Sequence, residues 1–347
     1  MRNSLSYLST WSSLAIVLAI PAAASEPTVN ELLGQGKFCS ATAQAVFRAC
    51  GNQALDDYYI GLGVCINESD SGERSECLQD LQASRADAKE ECAAQHAART
   101  DLCEALGEAR YDPEFAARDF DRDFRNLSNP NPYFPLGIGS RWEFRSATET
   151  NVVHVTGATK LIGNVRCIVV RDEVFENGVL TEGTNDWFAQ AKDGTVWYCG
   201  EETAEFATFE GDGPVKPELV SIEGSFKAER DGARPGIIFL GNPRPGQTYL
   251  EESSLGNAED ATRVLVTDYS YGRYPGLDQS VPAQLARLLC AHDCVVTRNI
   301  SPLEPGDFER KYYAPGIGVF LETAPKHGEV NRLVKCNVDP RCSRLPQ

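Results

Sequence analysis

The apolar positions of residues 28–110 follow the period of an α-helix. Residues 73–108 are rich in good helix formers, and five earlier apolar residues are spaced for one broad face: Phe38, Ala41, Val46, Phe47 and Leu55. Thr28 and Glu31 have the spacing of a capping box, which predicts a helix start. The composition around Ser71-Gly72 is that of a turn. The pattern therefore predicts two long helical segments joined by this turn.

From Arg141 onward the apolar positions alternate with the period of a β-strand. Asn177-Gly178 is a hairpin turn signal, and one short helix is predicted at 282–289. Many short strands separated by turns predict an antiparallel sheet that is curved or partly closed into a barrel. The predicted strands are 142–145, 151–156, 165–175, 187–189, 195–199, 236–240, 248–250, 262–267, 294–299, 310–314, 319–322 and 332–336.

The N-terminus and a Pro-rich stretch complete the predicted organisation. Arg2, an apolar run at 14–20 and the small residues before position 25 predict a secretory signal peptide. Several Pro and Asn residues interrupt regular structure and predict a linker. The predicted segments are a signal peptide at 1–24, a Cys-rich helical hairpin at 25–110, a Pro/Asn-rich linker at 111–137 and an antiparallel β-rich domain at 138–347.

Six of the twelve cysteines are spaced symmetrically about residue 71. Steps of 11, 15, 12, 15 and 11 residues separate Cys39, Cys50, Cys65, Cys77, Cys92 and Cys103. At about 100° per residue, steps of 11 and 15 residues keep the cysteines on one side of a helix. As an alternative, Gly61 and Gly63 would end the first helix before Cys65. The geometry favours one of the fifteen possible connectivities, in which the nested pairs are Cys39–Cys103, Cys50–Cys92 and Cys65–Cys77.

The other six cysteines lie in the β-rich region. Bonds from Cys290 and Cys294 to distant cysteines are one alternative. The simpler assignment makes Cys290–Cys294 a short local disulfide, and Cys336–Cys342 then closes a C-terminal loop. By elimination, Cys167–Cys199 links two strands. The predicted fold class is therefore α+β, in which a disulfide-stapled antiparallel helical hairpin precedes a curved antiparallel β-sheet or partial barrel.

One short segment groups several potential metal ligands. Two thiols, an imidazole and a carboxylate could hold zinc, and they belong to Cys290, His292, Asp293 and Cys294. No second ligand pair with zinc-finger spacing accompanies them, and an oxidising compartment favours a disulfide instead. We therefore predict no metal and no cofactor.

Charge and cysteine content limit the partners and the compartment. The formal net charge of −17 argues against nucleic acid and against anionic lipid surfaces. The apolar segments are too short to span a bilayer. An even number of cysteines, together with the signal peptide, predicts a soluble exported protein that is periplasmic or extracellular.

The sequence predicts no catalytic residue. It contains four His and no G-x-S-x-G motif, and among 50 acidic residues no carboxylate pair stands out as a glycosidase site. The acidic stretch at 119–123 resembles the start of a calcium loop. However, Phe124 and Pro130 occupy the positions where an EF-hand requires Gly and Glu.

A series of short motifs carries a family resemblance. The motifs are residues 131–136, Trp142, 167–172, 186–190 and 312–319. In this series the chain resembles a group of uncharacterised bacterial secreted proteins with a YYAPGxGV-type closing hairpin. That hairpin is also similar to the last hairpin of periplasmic lipoprotein carriers of the LolA/LolB type. The resemblance implies a highly curved antiparallel sheet with an apolar concave face.

Aromatic residues on predicted strands are the candidate ligand-binding residues, although such side chains more commonly belong to a core. They are Trp142, Trp187, Trp197, Tyr198 and Tyr312. The first hypothesis is an exported, soluble, non-enzymatic protein that binds an apolar small molecule or lipid-like ligand in the concave face of the sheet. The second is a partner-binding or adhesion protein that uses the helical hairpin. The third is a secreted hydrolase or metal-dependent enzyme.

Overall fold

A computed structural model describes residues 27–346, so the predicted signal peptide lies outside the described residues. Three helices come first, one short helix lies between two late strands, and a 3₁₀ turn follows the last strand: α1 Val29–Gly34, α2 Phe38–Ile66, α3 Ser71–Leu106, α4 Ala283–Leu289 and Pro340–Arg344. The strands are β1 Arg141–Arg145, β2 Glu149–Ile162, β3 Val165–Glu176, β4 Val179–Gln190, β5 Val196–Ala207, β6 Glu218–Ser221, β7 Phe226–Lys227, β8 Gly236–Phe239, β9 Thr248–Leu250, β10 Ala261–Tyr269, β11 Cys294–Ile300, β12 Glu309–Ala314, β13 Gly318–Ala324 and β14 Glu329–Cys336.

Capping side chains define the starts of α1 and α3, whereas α2 begins after Lys37 without a side-chain cap. Thr28 and Glu31 form the predicted capping box at the start of α1. The carboxylate of Asp70 accepts hydrogen bonds from the backbone N–H groups of Gly72 (2.7 Å) and Glu73 (3.0 Å), so α3 begins at Ser71. The turn therefore precedes the predicted position. No helix of residues 27–346 is both long enough and apolar enough to cross a membrane.

Three nested disulfides join α2 to α3, as predicted. They are Cys39–Cys103, Cys50–Cys92 and Cys65–Cys77, with Cα–Cα distances of 5.6, 5.8 and 5.6 Å. The alternative helix end before Cys65 is wrong, because α2 continues to Ile66. A Cβ at Gly61 would lie 2.5 Å from Leu81 Cδ1, so the glycine permits close packing of the two helices.

All the described strands pair antiparallel in one sheet that no strand ladder closes. The order is β6-β5-β4-β3-β2-β1-β14-β13-β12-β11-β10-β9, and β7 and β8 also pair with β5. The fold class predicted from the sequence is confirmed. The first and last strands of the chain are neighbours at the centre of the sheet, where Phe144 of β1 pairs with Leu333 of β14.

The two ends of the sheet meet through one short contact. Arg234, just before β8, forms an isolated bridge with Ser253, just after β9, and its backbone N–H donates to Ser253 O at 2.8 Å. Beside this bridge, a Cβ on Gly236 would lie 1.8 Å from Glu251 O. Only glycine allows the two backbones to approach this closely. The contact curls the sheet around an interior space.

The segment predicted as a linker packs on the sheet. Phe120, Phe124 and Leu136 are buried, and the amide of Asn131 donates to Gly194 O (2.8 Å) and Leu240 O (3.1 Å). Proline-rich chain can therefore be fixed in place by hydrogen bonds to the turns that it crosses. The segment covers one face of the β3–β5 region and brings the chain to the start of β1.

A buried ion pair attaches the helical hairpin to the sheet. The guanidinium of Arg99 on α3 donates to both carboxylate oxygens of Glu259, at 2.8 and 2.9 Å. Gln95 adds a hydrogen bond to Leu303 O at 3.1 Å. Bidentate pairs of this kind fix orientation as well as contributing energy. The hairpin is thus held against the loops beside β10 and β11.

Candidate functional site

The interior of the curled sheet contains a cavity of about 270 Å³. Strands from both halves of the sheet line it, and the residues before β1 cover one end. Its apolar wall is formed by Phe134, Leu136, Trp142, Phe144, Val153, Val155, Val170, Phe188, Tyr198, Ile238, Tyr313 and Val319. The rings of Phe188 and Tyr198 stack with centroids 4.9 Å apart. This wall can accept an apolar or aromatic group.

The rest of the cavity lining forms a second wall, which is strongly acidic. Six carboxyl groups and one amine line it: Asp172, Asp186, Glu251, Glu252, Asp260, Glu322 and Lys311. The Lys311 ammonium lies 3.7 Å from the Glu322 carboxylate. Burial disfavours the charged form of Lys311, but the surrounding carboxylates outweigh this effect and raise its pKa. The cavity therefore holds more acidic groups than its single cation can neutralise.

Strand pairing places these groups side by side. Val155 of β2 lies opposite Val170 of β3, Val170 lies opposite Asp186 of β4, and Asp186 lies opposite Glu201 of β5. Directly opposed residues on antiparallel strands point to the same face and are close neighbours. The row thus changes from apolar to acidic across the sheet.

One phenol contacts two carboxyl groups at the acidic end of this row. The Tyr198 hydroxyl lies 2.5 Å from Asp186 Oδ1 and 3.0 Å from Glu201 Oε2. Burial, reinforced by the charge of Glu201, raises the pKa of Asp186 to about 7. Burial likewise raises the pKa of Glu201 to about 7. A phenol has one proton and can donate to one of the two carboxyl groups. If the other carboxyl group is protonated, it can donate to the phenol oxygen, and both contacts are then hydrogen bonds.

Two further carboxyl groups of the cavity lining, those of Glu251 and Glu252, follow directly after β9. Glu251 accepts hydrogen bonds from the Thr262 hydroxyl (2.5 Å) and the Asn299 amide (2.8 Å), and burial raises its pKa to about 7. Burial and the nearby charge of Asp260 raise the pKa of Glu252 well above its ordinary value. Glu251 is therefore poised to change charge near neutral pH, and the charged form of Glu252 is disfavoured.

Asn151 and Asp172 form the link between the acidic and apolar walls. The Asn151 amide donates to Asp172 Oδ1 at 2.9 Å, which leaves Asn151 Oδ1 buried without a hydrogen-bond partner in the described structure. Burial, with the charges of Asp186 and Glu322, raises the pKa of Asp172 well above its ordinary value. An unmatched acceptor is therefore part of the cavity lining.

Two of the five predicted ligand-binding aromatics line the cavity, namely Trp142 and Tyr198. Trp187 and Trp197 belong instead to the core cluster on the other face, which includes Phe120 of the preceding segment. Adjacent strand residues point to opposite faces, so Trp187 and its neighbour in the sequence cannot both face the cavity.

Tyr312 is also outside the cavity lining. It is fully buried, its ring packs edge-on against Tyr269 at 5.4 Å, and its hydroxyl donates to Leu277 O at 2.6 Å. Its neighbours Lys311 and Tyr313 line the cavity. The alternation of a strand again accounts for the difference.

The candidate zinc ligands are engaged in other contacts. Cys290 is bonded to Cys294, the His292 ring nitrogen Nδ1 is 2.9 Å from the Ser270 hydroxyl, and Asp293 caps the N–H of Ala291. The remaining disulfides are Cys167–Cys199 and Cys336–Cys342. Within residues 27–346, no three His, Cys, Asp or Glu side chains are grouped so that they could hold a metal ion.

The acidic wall was not predicted from the sequence. Asp172 and Asp186 stand at alternate positions with the apolar residues Val170 and Phe188, on the cavity-lining side of their strands. A carboxylate at the i±2 position of a buried residue was the available signal, because such residues share one face of a strand.

Comparisons with known proteins give no family for this chain. No family model matches it, and no curated protein matches it. A solved structure of a protein from Parabacteroides distasonis, provisionally assigned as a lipoprotein, is similar over 60% of this chain and 99% of its own length. The identity is 9% and the TM-score 0.28, a likeness too slight to carry over a fold or an activity. The resemblance to the secreted group and to LolA/LolB-type carriers stays a prediction.

Proposed function

We propose that this protein is an exported, non-enzymatic binding protein that holds an apolar or lipid-like ligand inside its curled sheet. The observation that carries the proposal is the aromatic and aliphatic wall of the interior cavity, with the stacked rings of Phe188 and Tyr198. The volume of about 270 Å³ is close to the lower end of ligand sites, which measure about 300–1,000 Å³.

The disulfides support the exported part of this proposal. All twelve cysteines are paired in six disulfides, and none of the described cysteines is free. Such bonds persist in oxidising compartments and are rare in the cytosol. The six disulfides fit a protein that acts outside the cytosol.

Filling the cavity should abolish the binding of an apolar probe. Val153→Trp places an indole in the cavity, and we expect at least a ten-fold loss of affinity for N-phenyl-1-naphthylamine, followed by its fluorescence. Leu161→Trp is the matched control, since Leu161 is 67% exposed and does not line the cavity. Thermal melts verify that both variants fold. Equal probe binding by the Val153→Trp variant and the native protein would contradict the proposal.

The exposed apolar residues of α2 favour a second candidate function, the binding of a protein partner by the helical hairpin. Tyr59, Ile60 and Val64 are each more than 60% exposed although they are large and apolar. Clustered exposed apolar residues are typical of interaction surfaces. This surface would fit an apolar face of a second protein.

Changing this surface separates the two functions. The triple variant Tyr59→Ser, Ile60→Ser and Val64→Ser should lose a partner captured by the full-length chain and keep its affinity for N-phenyl-1-naphthylamine. The Val153→Trp variant should show the opposite behaviour. The captured protein must also bind directly when purified. If the triple variant captures it as well as the native chain does, the hairpin is not the binding surface.

A further inference from the structure

The charge of the cavity restricts which apolar ligand it can accept. Among the described residues that line it, Lys311 provides the single positive charge, against six carboxyl groups. The side chains of Glu252 and Asp260 have no hydrogen bond or ion pair within the described structure. Both residues are half-buried, so their carboxyl groups can pair with a ligand.

The neighbouring surface has the same sign of charge. A cleft of about 430 Å³ shares Glu252, Asp260 and Lys311 with the cavity. It adds five further carboxyl groups, from Glu259, Glu304, Asp307, Glu309 and Glu329. Lys311 and His327 also line this cleft, and Glu259 and Asp307 are already paired with Arg99 and Lys326. The remaining carboxyl groups still give an excess of negative charge, and such an excess raises the local concentration of oppositely charged ligands. Cations would thus be drawn to the cavity, and anions such as fatty carboxylates would be repelled.

The unpaired oxygen of Asn151 in the cavity lining could accept a hydrogen bond from a ligand. Asn151 Oδ1 is a buried acceptor without a hydrogen bond in the described structure. The Asn151 amide nitrogen donates to Asp172 Oδ1 at 2.9 Å, so the amide oxygen points away from this contact. An N–H group is the natural partner of such an acceptor.

The aromatic wall suits the same ligand. The rings of Trp142, Phe188 and Tyr198 line the cavity together with the acidic groups. Aromatic faces attract cations, and they also accept the apolar body that carries the cationic group. The cavity thus combines an apolar wall, aromatic rings and an excess of acidic groups.

We propose that the ligand of this cavity is an organic cation, in which an apolar body carries an amine or ammonium group. The apolar body packs on the wall that includes Phe188, and the ammonium group pairs with Asp172, Glu252 and Asp260. This inference rests on the proposed function and specifies the chemical class of its ligand.

A matched series of probes tests the inference. Octylammonium, octanol and octanoate have the same chain and differ in charge, and their affinities for the full chain are measured by calorimetry at pH 8. We expect octylammonium to bind at least ten-fold more tightly than octanol, and octanoate to bind most weakly. The double variant Asp172→Asn and Glu252→Gln should lose this preference and keep its affinity for octanol.

The control and the outcomes separate this inference from the proposed function. Glu176→Gln changes an exposed carboxylate at the end of β3, outside the cavity lining, and should preserve the preference for octylammonium. Equal binding of octanol and octylammonium by the native protein would overturn the inference and leave the proposed function intact. If the double variant retains the preference, Asp172 and Glu252 do not hold the ammonium group. If neither these probes nor N-phenyl-1-naphthylamine binds, both proposals fall.

Discussion

At the residue scale, the shared hydrogen bonds of Tyr198 make the acidic wall sensitive to pH. Asp186 and Glu201 have ordinary pKa values of 3.8 and 4.5, and both are raised to about 7 in the folded protein. The folded state therefore binds more protons than the unfolded chain between about pH 4 and pH 7. Stability falls as pH rises wherever the folded state holds the additional protons.

The free energy of unfolding should accordingly decrease between pH 5 and pH 8. The loss attributable to Asp186 and Glu201 is on the order of a few kcal/mol at most. In the double variant Asp186→Asn and Glu201→Gln, the dependence of Tm on pH should be shallower. It should not disappear, because Glu251 and Glu252 face the same cavity and also have raised pKa values. Thermal melts at a series of pH values measure this slope.

The control for this pH dependence is Glu176→Gln, at an exposed position at the end of β3. It should reproduce the slope of the native protein. Below about pH 4 the slope changes sign, because carboxylates that are hydrogen-bonded in the folded state, such as Asp307 and Asp339, have lowered pKa values. An unaltered slope in the double variant would show that Asp186 and Glu201 titrate normally.

At the scale of the elements, the symmetric cysteine spacing and the alternation of apolar residues explain which predictions were correct. The cysteines of the hairpin are separated by steps that keep them on one side of a helix, and the three predicted disulfides join α2 to α3. The predicted helix at 282–289 is confirmed as α4. Most predicted strands are present, since their buried residues recur at every second position.

Strand extent was the poorest prediction, and polar residues explain the failure. Only residues 187–189 of β4 were predicted, whereas the strand begins at Val179. The part of β4 before residue 187 contains Gly183, Asn185 and Asp186, which have low strand propensity. These residues remain in the strand because β3 and β5 pair with them on both sides. Tertiary pairing overrode local preference here.

The cavity could not be predicted for a related reason. Acidic residues that alternate with apolar ones in a strand ordinarily indicate a solvent-exposed face. In this protein that face turns inward, because the sheet curls until Arg234 meets Ser253. The contact joins segments that local sequence patterns do not connect. The identities of Asp172 and Asp186 alone therefore could not reveal that they line a cavity.

At the scale of the whole molecule, the shape of the cavity depends on the approach of Gly236 to Glu251. In the Gly236→Ala variant the new methyl group would overlap the Glu251 carbonyl oxygen, so the two ends of the sheet must separate. We expect a loss of about 1–3 kcal/mol of stability or more, by analogy with overpacked cores. We also expect weaker binding of N-phenyl-1-naphthylamine and faster hydrogen exchange at the amide of Arg234.

The matched control for this substitution is Gly276→Ala. A Cβ there meets no atom within 4 Å, and the backbone has no positive φ that would strain an alanine. This variant should retain native stability, probe binding and amide exchange. If Gly236→Ala behaves in the same way as Gly276→Ala, the contact between the two ends of the sheet does not shape the cavity.

The position of β1 beside β14 has a consequence for the time order of folding. Phe144 meets Leu333 only after 189 further residues have been delivered, if the chain emerges from its N-terminus. Until then β1 has an open edge, which is the kind of surface that recruits other chains. The helical hairpin can form earlier, because its disulfides join only residues within 39–103. Assembly therefore starts at one end of the molecule and finishes in the middle of its sheet, so the cavity forms only once nearly the entire chain has arrived.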